Sequence, residues 1–357
     1  MKIKTSYFIV GLLLVLVVGS VILFSPDNLL QHKKQETMNH NQSKKEQLAI
    51  LNQYPIIANT LETENSASLI PIPGLKATKT LNDKGKISVC DAMTPQGLSI
   101  SDDYLLISAY CHDHLHHSVI YVLDGHSHEL LRTAVLMDTS HAGGLGFDEN
   151  KNNVWVSTTG GVAAITLSDI LTYEIEDKRP VRYYDNNLLL NINRSSVMTV
   201  FNNFLIVGNF KKQTNGKLTL YAIDQSGKLS NSLRIPTDET NSANPLYYTS
   251  ETLSINKIQG IAFYQNYVLL SQSYGKQNSK LYIFDKAQNK GNLKISEATY
   301  TIEFPPYLEQ ITVKDGYLYA VFESGAKAYR HKTSKVVDYI IRIPFDALIN
   351  QEEQQKL

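Results

Sequence analysis

Residues Thr94 to Asp124 read TPQGLSISDDYLLISAYCHDHLHHSVIYVLD, and altered copies of this stretch recur through the rest of the chain. Three short runs of alternating apolar residues, GLSIS, YLLISAY and SVIYVLD, are the pattern of half-buried strands. The first two are separated by Ser101-Asp102-Asp103, the last two by Cys111-His112-Asp113-His114-Leu115-His116-His117.

The first run, Pro95-Gln96-Gly97-Leu98-Ser99-Ile100, is echoed from His141 to Phe147, Ser195 to Val200, Ile258 to Phe263 and Leu308 to Val313. A turn and a second run follow each echo: YLLISAY, NVWVSTT, FLIVGNF, YVLLSQSYG and YLYAVFESG. The turns carry Asp, Asn, Gln and Gly, residues that accept the backbone angles of tight hairpins. A third run completes each copy, as in SVIYVLD, GVAAITL, KLTLYAID, KLYIFD and DYIIRIPFD.

The chain thus holds five strand–turn–strand–loop–strand units of roughly 47 to 63 residues, comparable with the ~40–50 of a propeller blade. One copy cannot cover both faces of so small a sheet, and a ring of copies removes the long unpaired edges. The reading is an all-β fold, a β-propeller of five blades, with six as the alternative because Asp169–Asn191 and Thr237–Lys257 are long enough to hold unmatched strands. Outer strands are expected in Leu130–Met137, before Asn191, in Leu229–Pro236 and in Ala298–Phe304. Leu75–Leu81 is expected to close the ring by supplying the fifth blade's outer strand.

The N-terminus carries Lys2 and Lys4 and then 18 uncharged residues, Tyr7 to Phe24. As a helix these rise about 27 Å, roughly the hydrocarbon thickness. With the lysines retained inside, residues 1–25 read as a transmembrane signal anchor. A cleaved signal peptide is the competing reading, but Phe24-Ser25-Pro26-Asp27 lacks a small-residue cleavage site. Residues 26–70 turn to Gln, Asn, Lys, Glu and His and read as a flexible polar stalk. Residues 71–350 form the propeller domain, and 351–357 a polar tail. The expected location is the cell membrane, single-pass, with the propeller on the extracellular side.

Lys plus Arg and Asp plus Glu both total 34, so the basic excess that drives phosphate contacts is missing, and nucleic acid is not an expected partner. Two cysteines, Cys90 and Cys111, exclude a disulfide-rich scaffold and a four-thiolate zinc site. They flank the first blade's opening strands. A disulfide between them, or two buried thiols, are the two readings.

Propeller topology brings the entry to each inner strand and the loop between second and third strands to one end of the ring. The entries supply Gln96, His141, Ser195, Gln259 and Glu309; the loops supply Tyr110, His112 to His117, Tyr274 and Glu323-Ser324. From these, Gln96, Tyr110, His112, His114, His141, Gln259, Tyr274 and Glu309 are the expected ligand-binding set at the axial mouth. Four His and one Asp within His112 to His117 offer donors for a divalent metal, zinc or calcium, with His112, His114 and His141 as the candidate ligands. In an extended loop His112, His114 and His116 point one way, Asp113 and His117 the other. The alternative is a solvated loop whose imidazoles bond to backbone carbonyls.

Pro95 to Ser108 resembles the blade signature of the gluconolactonase, strictosidine-synthase-like and NHL-type propellers, roughly PxGLxxSxDxxLYVxx, and Gly143 to Thr158 is a looser copy. The resemblance implies a propeller over about Leu75 to Asn350. It also implies, for the lactonase group, a divalent metal held by channel-facing acidic and Asn residues; here Gln96 and Gln259 occupy comparable entries and Glu309 supplies a carboxylate. Two functional expectations follow: an extracellular propeller binding a small molecule, cell-surface glycan or protein at its mouth, or a metal-dependent hydrolase of lactonase type. No catalytic triad is assigned, since no GxSxG nucleophile signature is present.

Overall fold

The computed structural model describes residues 43–63, 67–189, 195–230, 251–252, 255–289 and 293–356. The candidate anchor, residues 7–24, lies outside them. Among the described residues no helix is long and apolar enough to cross a membrane.

The domain opens with β1 (Ser68–Pro71) and a hairpin of β2 (Thr78–Leu81) and β3 (Ile87–Cys90). Blade one is β4 (Met93–Ile100), β5 (Tyr104–Cys111), β6 (Val119–Asp124) and β7 (Leu130–Val135). Blade two is β8 (Leu145–Asp148), β9 (Asn153–Thr158), β10 (Gly161–Thr166) and β11 (Asp185–Leu188). Blade three is β12 (Val197–Phe201), β13 (Phe204–Gly208), β14 (Lys217–Ala222) and β15 (Glu251–Thr252). Blade four is β16 (Ile258–Tyr264), β17 (Tyr267–Gln272), β18 (Ser279–Asp285) and β19 (Tyr300–Phe304). Blade five is β20 (Leu308–Lys314), β21 (Tyr317–Phe322) and β22 (Tyr339–Pro344), completed by β1.

Every pairing within the blades is antiparallel, and the innermost strands touch in the cyclic order β4, β8, β12, β16, β20, β4. This is a closed five-bladed propeller. The turns behave as their residues require: Asn202, Asn203, Asp315 and Gly316 all take positive φ, which Asn, Asp and Gly tolerate best.

The ring closes where chain start meets chain end, but through a different segment from the expected one. Ser68–Pro71 pairs with β22, Ile70 opposite Ile340, whereas Thr78–Leu81 pairs with Ile87–Cys90. The local hairpin captures the latter segment: the Asn82 side chain accepts from the Lys84 and Lys86 N–H groups at 3.0 and 2.9 Å, an Asx-type turn. In blade three the outer strand is β15 rather than Leu229–Pro236; Leu229 makes only an isolated bridge to Ile223, and residues 231–236 lie outside the described ones.

The compact unit begins near Ile50, earlier than the expected boundary at residue 71. Helix α1 (Pro55–Thr63) lies in the stretch read as stalk, and helix α2 (Phe345–Lys356) covers most of the stretch read as tail. The two helices pack on each other. Leu51, Tyr54, Ile56 and Ile57 join Phe345 and Leu348 in one apolar cluster with residues of blades four and five. Apolar positions that look too sparse to form a core alone are held because the propeller supplies the other side.

Candidate functional site

Three of the five inner strands carry a β-bulge at their entry. In β4 the register shifts between Pro95 and Leu98, in β16 between Ile258 and Gly260, and in β20 between Leu308 and Ile311. The residues inside these bulges are Gln96-Gly97, Gln259 and Glu309-Gln310. A bulge re-aims a side chain out of the alternating pleat, and here it turns polar groups toward the axis.

Gly97 makes the first bulge possible, since a Cβ there would lie 2.4 Å from Ser108 Oγ and 2.8 Å from Leu145 Cβ in the next inner strand. Gln310 crosses the axis. Its Oε1 accepts from the Leu98 and Leu145 N–H groups at 3.2 and 2.9 Å, and its Nε2 donates to the Leu145 and Met198 carbonyls at 2.5 and 3.0 Å. One amide from blade five thereby ties blades one, two and three with its full capacity of two donors and two acceptors.

Beside this staple lies a buried pair of acids. Glu309 is 4% and Glu323 8% exposed, and their carboxyl groups are hydrogen-bonded to each other. Gln259 Nε2 donates to Glu309 Oε1 at 3.0 Å, and Gln96 Nε2 donates to Glu323 Oε2 at 2.9 Å. Burial, then the neighbouring Glu323 charge, holds the Glu309 carboxyl well above the usual carboxylate range. Burial also pushes Glu323 up to about 7, against the lowering effect of its hydrogen bonds from Gln96, Glu309 and Tyr329 and of the Lys332 charge. Two buried carboxyls in contact cannot both ionise at low cost, so the pair favours holding one proton between them.

The pair abuts an aromatic cluster. Tyr329 bonds to Glu323 and to Tyr110, and its ring meets Tyr307 at 5.3 Å and His112 edge-on at 5.5 Å. The Tyr110 ring packs 4.0 Å from His141, and its hydroxyl lies 3.2 Å from His112 Nδ1. Burial first raises both phenols above their ordinary range, with the nearby Glu323 and Glu309 charges adding to it, so each remains a neutral O–H donor.

Of the expected set, Gln96, Tyr110, His112, Gln259 and Glu309 belong to this connected group, with His114 and His141 at its edge against Tyr110. Tyr274 does not join it. Its half-exposed ring stacks on Phe210 at 6.0 Å beneath Lys212 and Lys257.

The Tyr110 ring packs against His112, His114 and His141, with centroids 6.0, 5.9 and 4.0 Å away. Among the described residues the one trio with metal-ligand proximity is Cys90, Cys111 and His116, whose ligand atoms lie within 4.8 Å of one another. The histidine loop is bent: His114 takes φ 56° and its N–H donates to the Cys111 carbonyl at 2.9 Å. The bend sends His112 to the mouth and His116 back to Cys111, against the alternation expected of an extended loop. The two thiols stand unjoined and buried, and burial raises Cys90 to about 12.

No family model matches this sequence, and no curated protein matches it. Solved structures similar to the fold include a nidogen/laminin complex, 11% identical over 69% of this chain and 84% of that one, with a TM-score of 0.39. A PQQ-bound aldose sugar dehydrogenase from Streptomyces coelicolor is 14% identical over 79% and 94%, TM-score 0.39. The Pseudomonas aeruginosa periplasmic gluconolactonase PpgL is 12% identical over 65% and 61%, TM-score 0.33. At these scores the assignment rests on the chain's own strand order, and the protein is placed as a five-bladed propeller with a buried acid pair contributed by blade five.

Proposed function

We propose that this chain is a membrane-anchored extracellular propeller that binds a small, hydrogen-bonding ligand at its axial mouth, on a platform of Gln96, Tyr110, His112, Gln259, Glu309 and Glu323. The observation that carries the reading is the buried contact between Glu309 and Glu323, each held by a glutamine amide. A carboxylate and a carboxyl held side by side by two glutamine amides form an acceptor and a donor of fixed orientation in a low-dielectric site, where each hydrogen bond counts most. The neutral phenols and imidazoles around them add donors and aromatic faces, the mixture that suits hydroxyl- or amine-bearing molecules.

The metal-dependent hydrolase is the second reading, and the same pair favours it. Two carboxylates and two side-chain amide oxygens are hard donors of the type calcium takes, so the residues present fit a divalent cation. Glu309 and Glu323 would hold it, with the Gln96 and Gln259 side chains turned to offer oxygen. A bound cation would supply Lewis acidity toward a carbonyl or a water. Tyr110 and Tyr329 would orient the bound group by donating hydrogen bonds, and Tyr307 would shield it from solvent.

Calorimetry with Ca²⁺ alone and NMR binding of a neutral polyol such as glucose, both on the full-length protein in detergent, separate the readings. Retained glucose binding without calcium, weakened at least tenfold by Glu323→Gln, supports the first. Calcium binding that is lost in Glu309→Gln, together with calcium-dependent opening of an aldonolactone, supports the second. Binding of both probes unaffected by either substitution would place the functional surface elsewhere. The anchor has its own check: a mature protein beginning near Ser25 refutes retention in the membrane.

A further inference from the structure

We infer that Cys90, Cys111 and His116 form a second site, separate from the acid pair, that binds one soft or borderline cation of the zinc class through two thiolates and one imidazole. The three ligands come from three elements: the end of β3, the end of β5 and the turn that follows it. His116 Nδ1 lies 3.5 Å from Cys111 Sγ. A tetrahedral zinc with Zn–S of about 2.3 Å and Zn–N of about 2.05 Å spans an S-to-N edge of roughly 3.6 Å, so this edge is already at its bound length.

The surroundings fit metal ligands. Ser88 Oγ lies 3.1 Å from His116 Nε2; with the Nε2 proton donated there, the Nδ1 lone pair faces the sulfurs, the outer-shell arrangement that fixes ligating imidazoles. The Ala92 N–H points at Cys90 Sγ at 3.4 Å, a donor that stabilises a thiolate. The loop bearing His116 is laced to the β2–β3 hairpin: His116 bridges Asn82, the His117 N–H donates to the Leu81 carbonyl at 2.8 Å, and Thr80 Oγ1 donates to the His117 carbonyl at 3.1 Å. The site is therefore assembled before any ion arrives.

Charge balance agrees with the burial of both cysteines. Binding a Zn²⁺ ion releases two thiol protons to solvent and forms two Zn–S bonds and one Zn–N bond. The two thiolates cancel the ion's charge, so no net charge is left in the apolar surroundings. His116 is partly exposed, which leaves its side for a fourth ligand, water or a small anion.

Full-length protein in detergent, fully reduced and free of chelator, is titrated with Co²⁺ alone and read by absorption. The expected result is one Co²⁺ per chain with thiolate-to-cobalt charge-transfer bands that Zn²⁺ bleaches. His116→Ala should weaken binding at least tenfold, and Ser88→Ala by about 10- to 100-fold. Both residues are partly exposed, so these variants keep the test open if cysteine substitutions fail to fold. Glu309→Gln should leave the bands intact, which separates this site from the acid pair. The inference is overturned if reduced protein develops no thiolate bands at saturating Co²⁺, or if His116→Ala binds unchanged. It is likewise overturned if the native protein carries a Cys90–Cys111 disulfide and its reduced form takes up no ion.

Discussion

Glu309 and Glu323 bind protons more tightly in the folded chain than in the unfolded one, because burial and mutual contact oppose ionisation. Glu323 moves from an ordinary 4.5 to about 7, and Glu309 is also raised. Between those values the folded state holds the extra proton, so stability falls as pH rises from about 4.5 through 7 and further as Glu309 ionises. Glu323→Gln removes the ionisable partner and keeps an oxygen acceptor for Glu309. It should flatten this slope and raise the melting temperature at pH 8 by roughly 2–5 °C, measured by thermal scans between pH 5 and 8. A wild-type midpoint that climbs across the same window would contradict the shared proton. In the sequence, Gln96, Gln259 and Glu309 stand out as site residues because each occupies the same place in a repeated unit. Tyr329 does not, since it lies in the insertion between β21 and β22, which has no counterpart in the other blades, and it reaches Glu323 only through the fold.

At the scale of elements, the strands were legible because alternation and turn residues are local properties. The bulges were visible only in part: the Gly of PQGL and of IQGI marks them, but a glycine in a strand does not say which neighbour approaches it. Gly97 answers to Ser108 and Leu145. Gly97→Ala should therefore cost about 1–3 kcal/mol by overpacking and shift Gln96 away from Glu323, so that loss of stability is accompanied by a higher apparent pKa of the acid pair, since the Gln96 hydrogen bond favours the charged form. A denaturant titration checks the first effect and the pH dependence of melting the second; an alanine accommodated with neither change would show that the inner strands can separate. The closing strand was misread for a related reason. Ser68–Pro71 pairs with residues some 270 positions away, and no short-range pattern distinguishes that partner, whereas Thr78–Leu81 has a hairpin mate within reach. The Cys90, Cys111 and His116 cluster was hidden likewise, because the bend at His114 turns His116 away from His112.

The blades form a ring, and a ring of five blades places its inner strands close enough for one side chain to reach three of them. Gln310 makes use of that closeness, bonding to Leu98, Leu145 and Met198 from blade five. This amide is fixed within the same bulge as Glu309, so the geometry that staples the blades also orients the acid pair. Gln310→Leu retains the volume but leaves two N–H and two C=O partners without their bonds. The expected loss is about 2–4 kcal/mol, since buried polar groups left unpaired carry the desolvation penalty. It should fall on the ring as a whole, with hydrogen exchange accelerating together in β4, β8 and β12 rather than in β20 alone. Exchange confined to blade five would mean that the blades are held by their apolar faces and that Gln310 serves only to set Glu309. Faster exchange in all three strands would make the axial amide the common support of fold and mouth.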